Sequence, residues 1–369
     1  MATIGLCMIV HNEAPIIERC LYSVLQIIDY ACIVDVGSSD DTIEVAARFL
    51  KRNGVAHDFR REIWRDSSSS RNEAIEWLRR NNAVDYCLML DANHVVRYER
   101  GFDSRKFKKH LQSDVYDVCL RNGHTENIHP ILFQNCLDCH YKGKVCEIMV
   151  MPPDATRGDI KGFHLEIMQG SASGADTEKF FRDAKGIEQA MAEETDPLML
   201  SRYRFYLAKS YMDGGDLRRA IKEFSTRVSY GGNNQEIFIS LLRIARLMER
   251  LDYREERVVH AYLKAWSACP QRAEPLCDLA AYSRRKEQWL WARLFASKGL
   301  HIRKPAKGCS IESDVYAYRL LDEYARAAYM CGSFRESLAA WTRLLECTLL
   351  PESERSRIVA SAQRALMRL

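Results

Sequence analysis

The chain lacks any uninterrupted apolar run of the roughly 20 residues that a membrane-crossing helix needs, so no membrane span is expected. Its apolar start, Met1 to Val10, has no basic region before it and no small-residue cleavage site after it. It reads as a β-strand and not as a secretion signal. An excess of one charge is lacking too. Lys and Arg number 54 against 50 Asp and Glu, a net charge of +4. The two signs are interleaved, which gives no concentrated basic face of the kind that binds DNA. The 13 cysteines lack metal-type pairing. Cys136 and Cys139 form one C-x-x-C, but no second pair follows at zinc spacing. Reduced thiols in a cytoplasmic protein are the expectation. The turn after the first strand, Val10-His11-Asn12-Glu13, lacks G-x-G-x-x-G, which argues against a plain dinucleotide-binding oxidoreductase.

What is present is an ordinary globular composition, 47% hydrophobic and 28% charged over 369 residues, long enough for two cores. The first part alternates strand and helix. Ile4 to Val10 reads as a strand and Glu13 to Gln26 as an amphipathic helix, with Ile16, Ile17, Cys20, Leu21 and Val24 at helical spacing. Ala31 to Val36 is a second buried strand, followed by a turn and a helix through Leu50. Ser70 to Arg80 is a further helix, and Tyr86 to Leu90 a third strand ending at Asp91. This alternation implies a mostly parallel α/β sheet. Ligands of such sheets bind at the carboxyl ends of the strands. From about Asp117 to Phe163 the pattern is β-like, in Tyr116 to Leu120, Ile131 to Phe133 and Val145 to Val150. Met168 to Asp183 is polar and Gly/Ser-rich, which predicts a loop or linker.

After Pro197 long amphipathic helices take over. Ala208, Gly215, Leu217 and Ala220 stand at relative positions 0, 7, 9 and 12. Ala325, Gly332, Phe334 and Ser337 repeat that spacing, as do Ala280, Glu287, Trp289 and Ala292 without the glycine. The repeat resembles tetratricopeptide helices, whose small residues let paired helices approach closely. A further pair is expected over Glu236 to Ala268. Trp266, Trp289, Trp291 and Trp341 are expected mostly in the core. Two domains follow, 1–190 and 197–369.

Four ordered motifs in the first hundred residues carry a family resemblance. They are Met8-Ile9-Val10-His11-Asn12-Glu13, Ile33-Val34-Asp35-Val36-Gly37-Ser38-Ser39-Asp40-Asp41-Thr42, Ser70-Arg71-Asn72-Glu73-Ala74 and Leu88-Met89-Leu90-Asp91-Ala92-Asn93. Together they resemble the family 2 glycosyltransferases of the GT-A fold, in the form that carries trailing tetratricopeptide-like repeats. Asp314-Val315-Tyr316 and Arg319-Leu320-Leu321-Asp322-Glu323 resemble that subgroup as well.

The resemblance implies a nucleotide-sugar donor, a UDP-sugar foremost, and a divalent cation, Mn²⁺ or Mg²⁺, to neutralise the departing diphosphate. Where the family has D-x-D, this chain has Asp91-Ala92-Asn93. Asn93 keeps an oxygen but loses a charge, and His94 follows where the subgroup has Glu. His164, in Ile160-Lys161-Gly162-Phe163-His164, matches a segment whose histidine can ligate the metal. The implied metal set is therefore Asp91, Asn93 and His164. Asp35 is implied to contact the nucleoside. Asn12 and Glu13 lie near the nucleotide, and Arg71 near a phosphate. Asp40 and Thr42 read as helix caps. An inverting transfer needs a base for the acceptor hydroxyl. In Lys144-Val145-Cys146-Glu147, Glu147 matches the subgroup's Glu while Cys146 replaces its His, so Glu147 is the expected base.

The repeats offer a concave surface. A macromolecular acceptor fits it, protein, peptide or glycan, with modified nucleic acid as a further class; a homodimer through the repeats fits it too. The departures at Asn93, His94 and Cys146 keep a second reading open, a catalytically degenerate nucleotide-sugar-binding scaffold.

Overall fold

The computed structural model describes residues 1–168 and 177–369. It divides into two compact units, Met1–Gly123 with Asn127–Met199, and His124–Glu126 with Leu200–Leu369.

The first unit is α/β. Its sheet begins with β1 (Ile4–Val10), β2 (Tyr30–Asp35), β3 (Ala56–Arg61), β4 (Tyr86–Met89) and β5 (His94–Tyr98), interleaved with α1 (Ile17–Val24), α2 (Thr42–Arg52), α3 (Ser67–Arg79) and then α4 (Ser104–Lys109). It continues through β6 (Val115–Asn122), β7 (Thr125–Gln134), the hairpin β8 (His140–Lys142) and β9 (Ile148–Val150), β10 (Arg157–Asp159) and β11 (Phe163–Ile167). The strand order is β3-β2-β1-β4-β7-β6-β11-β5, with β10 beside β6 and the β8–β9 hairpin separate. Strands β3, β2, β1 and β4 are mutually parallel. β7 then runs antiparallel to β4.

The central strands are apolar on both sides because both faces are covered. Ile4, Leu6, Met8 and Val10 of β1 pack with α1 and α2, through Ile17, Leu21, Ala46, Phe49 and Leu50. Cys7, on the other face, joins Cys32, Val34 and the α3 residues Ala74, Ile75 and Leu78. The parallel strands thereby point their carboxyl ends to one edge.

Several sequence expectations shift. The first helix is shorter than Glu13 to Gln26: the backbone oxygen of Glu13 accepts from Ile16 and Ile17, and the regular helix starts at Ile17. Strands β3 and β5 were not anticipated. β3 has an exposed or half-buried pattern throughout, as befits an edge strand with little apolar alternation. Glu147 lies between β8 and β9, outside the strand expected from Val145. The predicted loop Met168 to Asp183 falls partly outside the described residues. Its end is helical, within α5 (Thr177–Glu193).

The second unit is built of helical pairs: α6 (Pro197–Asp213) with α7 (Leu217–Ser229), which meet at Phe205 and Phe224, α8 (Asn234–Arg250) with α9 (Glu255–Ala268), α10 (Glu274–Arg285) with α11 (Trp289–Leu300), and α12 (Leu320–Met330) with α13 (Phe334–Leu345). α14 (Glu352–Leu366) packs on α13. The repeat positions explain the pairing. Ala208, Ala220, Ala280, Ala292, Ala325 and Ser337 are all 0% exposed, and the Ser337 hydroxyl donates to the Ala325 carbonyl at 2.8 Å across the pair. The tryptophans were misjudged. Only Trp341, at 3% exposure, is fully buried, while Trp291 is 55% exposed.

Gly215 and Gly332 take positive φ at the turn between paired helices, 87° and 78°. Glu287 holds the same position at φ 57°, in the left-handed region that costs a residue with a Cβ about 1–2 kcal/mol. Glu287→Gly is therefore expected to stabilise the chain by up to about 1 kcal/mol, after allowance for glycine's extra unfolded-state entropy. Urea unfolding followed by far-ultraviolet circular dichroism measures it. A midpoint equal to or below wild type would mean that Glu287 makes compensating contacts.

Candidate active site

Two loops at the carboxyl ends of β1 and β2 are laced together. Asn12 has φ 54°, a conformation that asparagine tolerates. Its Oδ1 accepts from the Ser39 backbone N–H at 2.8 Å, and its own N–H donates to the Ser38 hydroxyl at 2.9 Å. The Glu13 N–H donates to the Thr42 hydroxyl at 2.8 Å, and the Ala14 N–H to Asp40 at 3.1 Å. Asp40 and Thr42 thus tie the loops, and Asp40 also accepts from the Thr42 N–H at 3.1 Å at the start of α2. Asp41 occupies the cap position of α2, without a side-chain cap bond.

Asp35, 1% exposed, closes β2. One carboxylate oxygen accepts from the Ser38 N–H at 2.9 Å and the other from Arg61 Nε at 3.0 Å. Burial works against the charge of Asp35, but these bonds outweigh it and hold its pKa below the usual range.

Arg71 joins residues from three segments. Its Nη2 donates to Asp91 Oδ1 at 2.9 Å and its Nε to Glu147 Oε1 at 2.7 Å. The guanidinium also lies 5.4 Å from the centre of the Tyr141 ring, within cation–π range. The Arg71 and Glu147 side chains are 18% and 16% exposed, whereas Asp91 is 45% exposed. Burial disfavours the Arg71 charge, but Asp91, Tyr141 and Glu147 more than offset it and raise its pKa. Burial likewise opposes the Asp91 charge, and Arg71 and then His94 overcome it, so the Asp91 pKa is lowered. Glu13 shows the opposite sign: burial, Asp91 and Asp40 raise it.

Local structure fixes this arrangement. Asp66 caps α3 by accepting from the Ser69 N–H at 2.8 Å, which sets Arg71 in the second turn. Asn72, next to it, grips β8 with a reciprocal pair: Nδ2 donates to the Tyr141 carbonyl at 2.8 Å and Oδ1 accepts from the Tyr141 N–H at 2.6 Å. Gly143 at φ 109° and Cys146 at φ 52° then turn the chain toward Glu147. Asn72 stands inside the Ser70–Ala74 motif, but its clamp on Tyr141 joins segments 69 residues apart and has no signal in the sequence. His94 was read only as a departure. Its Nδ1 accepts from the Asp91 N–H at 3.3 Å, which places the neutral ring's proton on Nε2.

Asp91, Asn93 and His164, the expected metal set, stand differently in the structure. The Asn93 Oδ1 is buried and has no hydrogen-bond partner, an oxygen placed two residues from Asp91. One carboxylate and one carbonyl oxygen suit an ion that completes its shell with substrate phosphates and water, as Mg²⁺ and Mn²⁺ do. His164 does not join them. It pairs across the ladder with Arg97, while Ile167 pairs with His94. That register sets it three positions, about 10 Å, along the strand. Its Nε2 accepts instead from Arg121 at 3.1 Å. Among the described residues no group of three or more His, Cys, Asp or Glu could hold a metal ion.

The Asp91–Arg71 pairing has a pH signature. With its folded pKa lowered, Asp91 contributes stability that is present above its unfolded value of about 3.9 and is lost as pH falls through the folded value. Asp91→Asn is expected to lose stability less steeply than wild type between about pH 5 and pH 2. Urea midpoints across that range measure it, and identical slopes would remove the pairing as a source of acid sensitivity.

Residues 6–117 match the family model for Glycosyl transferase family 2. A TPR repeat-containing protein of Synechococcus elongatus is 36% identical over 108 residues, which cover 28% of this chain and 24% of that protein. The chain thus spans about a quarter of this relative's length. Among solved structures, S. aureus TarS 1–349 in complex with UDP-GlcNAc aligns over 68% of this chain and 87% of its own, with TM-score 0.35 and 13% identity. BtubC from P. vanneervenii aligns over 50% and 75%, with TM-score 0.39 and 15% identity. No helix of the described residues is long and apolar enough to cross a membrane. The stretch 6–117 is thus similar to glycosyl transferase family 2, and it lies in an α/β unit that helical pairs follow.

Proposed function

We propose that the chain is an inverting glycosyltransferase that moves a sugar from a UDP-sugar to a hydroxyl of a macromolecular acceptor, with Mn²⁺ or Mg²⁺ held by Asp91 and Asn93. The observation that carries this reading is the single guanidinium of Arg71 between Asp91 and Glu147. It stands at the carboxyl edge of the parallel strands, where α/β sheets bind ligands.

The chemistry divides among these groups. A bound divalent cation neutralises the leaving diphosphate as a Lewis acid. Arg71 offers charged donors to diphosphate oxygens, which compete with Glu147 for it. Glu147, relieved of part of its pairing, accepts the proton of the acceptor hydroxyl. The hydroxyl oxygen bonds to the anomeric carbon, and the bond to the diphosphate oxygen breaks with its electron pair leaving on the diphosphate. Attack opposite the leaving group inverts the configuration. Asp35 takes the nucleoside, and the laced loop of Asn12 and Glu13 walls the site beside it. The helical unit recruits the acceptor, a protein, peptide or glycan in the first instance. A cytoplasmic location agrees with all 13 cysteines being free.

Glu147→Gln is expected to keep donor affinity and to lower transfer by about 10²–10⁴-fold. Transfer from a panel of nucleotide-sugars with Mn²⁺ or Mg²⁺, alongside donor titration, measures both. Equal loss of donor affinity would make Glu147 a binding group. Nucleotide binding by the wild type without turnover of any donor would favour the scaffold reading.

A further inference from the structure

The second helices of the repeat pairs follow one plan, and α11 departs from it. By the repeat spacing, Leu217 of α7, Trp289 of α11 and Phe334 of α13 are equivalent. The exposed positions that follow are Arg218, Arg219 and Lys222 in α7, and Arg335, Glu336 and Ala339 in α13. In α11 the same positions hold Leu290, Trp291 and Leu294, which are 76%, 55% and 54% exposed. The inward face of α11 is small instead. Ala292, Ala296 and Gly299 are its buried residues, and a Cβ on Gly299 would come within 2.8 Å of the Leu320 side chain. α11 thus inverts the usual pattern of a surface helix, with apolar bulk outward and small residues inward. The Trp291 ring stacks on Phe295 at 5.8 Å between centres, which orders it on the surface. Large apolar side chains grouped in this way mark a contact face.

The charges at its two ends indicate what covers it. Glu287 lies just before the helix and Lys298 in its last turn, and both are exposed. Neither belongs to an ion pair among the described residues; the Lys298 Nζ lies 6.0 Å from the centre of the Trp266 ring. Glu287 and Lys298 are equidistant in sequence from the midpoint between Ala292 and Arg293, and so are Trp291 and Leu294. A second α11 laid antiparallel about a two-fold axis through that midpoint sets each Glu287 against the other copy's Lys298. The same operation sets each Trp291 against the other copy's Leu294. The turn before the helix agrees. Gly215 and Gly332 hold it in other repeats, whereas Glu287 keeps a charged side chain there at φ 57°, against the backbone preference of a residue with a Cβ.

We propose that α11 is a self-association face, on which two copies of the chain pair antiparallel through Trp291 and Leu294 with a Glu287–Lys298 pair at each end. The proposal is independent of the transfer chemistry. Trp291 is the anchor, because a tryptophan carries the largest apolar surface on the face. The exposed charges set direction and register more than affinity. A face contributed by one helix lies at the low end of interface sizes, so the dimer dissociates at about micromolar concentration.

Sedimentation velocity of the full chain from about 1 to 100 μM tests this. Wild type should pass from monomer to dimer within that range. Trp291→Ala should raise the dissociation constant about 30-fold or more, while its far-ultraviolet circular dichroism spectrum stays that of wild type. Glu287→Lys and Lys298→Glu should each weaken the dimer about tenfold, and the double reversal should restore it. Wild type that stays monomeric across the whole range, as it would were the face reserved for a different protein, overturns the proposal. So does a dimer indifferent to folded Trp291→Ala. A dimer that Trp291→Ala abolishes but that neither charge reversal weakens overturns the antiparallel pairing.

Discussion

The candidate site depends on one desolvated cation. Arg71 is 18% exposed and faces two carboxylates that arrive from distant parts of the chain. A guanidinium withdrawn from water to that extent needs anions around it, and the anions in turn are close enough to repel each other without it. The pairing therefore fixes where the exit of β4 and the β8–β9 turn can stand relative to α3. Asn72 makes the same junction with neutral bonds, clamping Tyr141 from both sides. The charged contact and the amide clamp lie on adjacent residues of one helix. The orientation of α3, set by its Asp66 cap, thus governs the whole arrangement.

A second layer of constraint sits beside it. The loops after β1 and β2 hold each other through Asn12, Ser38, Ser39, Asp40 and Thr42. From sequence, Asn12 is expected near the nucleotide and Asp40 and Thr42 as helix caps; in the structure their polar atoms bond between the loops. That lacing holds Asp35 and Glu13 as parts of one wall. The raised pKa of Glu13, caused by burial and then by Asp91 and Asp40, is the electrostatic trace of acidic groups gathered at one edge.

The parts legible in the sequence were those encoded locally. Alternating strand and helix gave the α/β unit, because fully apolar strands such as Ile4 to Val10 leave little choice of environment. The seven-residue offset from Ala208 to Gly215 gave the helical pairs, because close approach and a left-handed turn each demand a particular residue type. Glu287 shows the limit of that logic: the turn is kept with a residue that fits it poorly. Strands β3 and β5 were missed because their alternation is faint, Ala56–Arg61 having no fully buried residue. His164 was misplaced for a different reason. Sequence proximity to a metal-binding pattern says nothing of register, and the antiparallel ladder with β5 carries it three positions away. The roles of His94 and Asn72 were invisible for the same cause, since each acts on a backbone group that only the folded chain brings near.

Charge balance connects the departures from the family motif. Arg71, Asp91 and Glu147 together carry one positive and two negative charges, and Asn93 adds none. An aspartate at position 93 would make the pocket more negative by one, strengthening its hold on a cation and its repulsion of a diphosphate alike. The asparagine weakens both effects. Under the proposed function, its buried, unpartnered Oδ1 would serve an ion that arrives with the diphosphate. On that proposal, a pocket so composed would take cation and nucleotide together, since each would supply the charge that the other lacks.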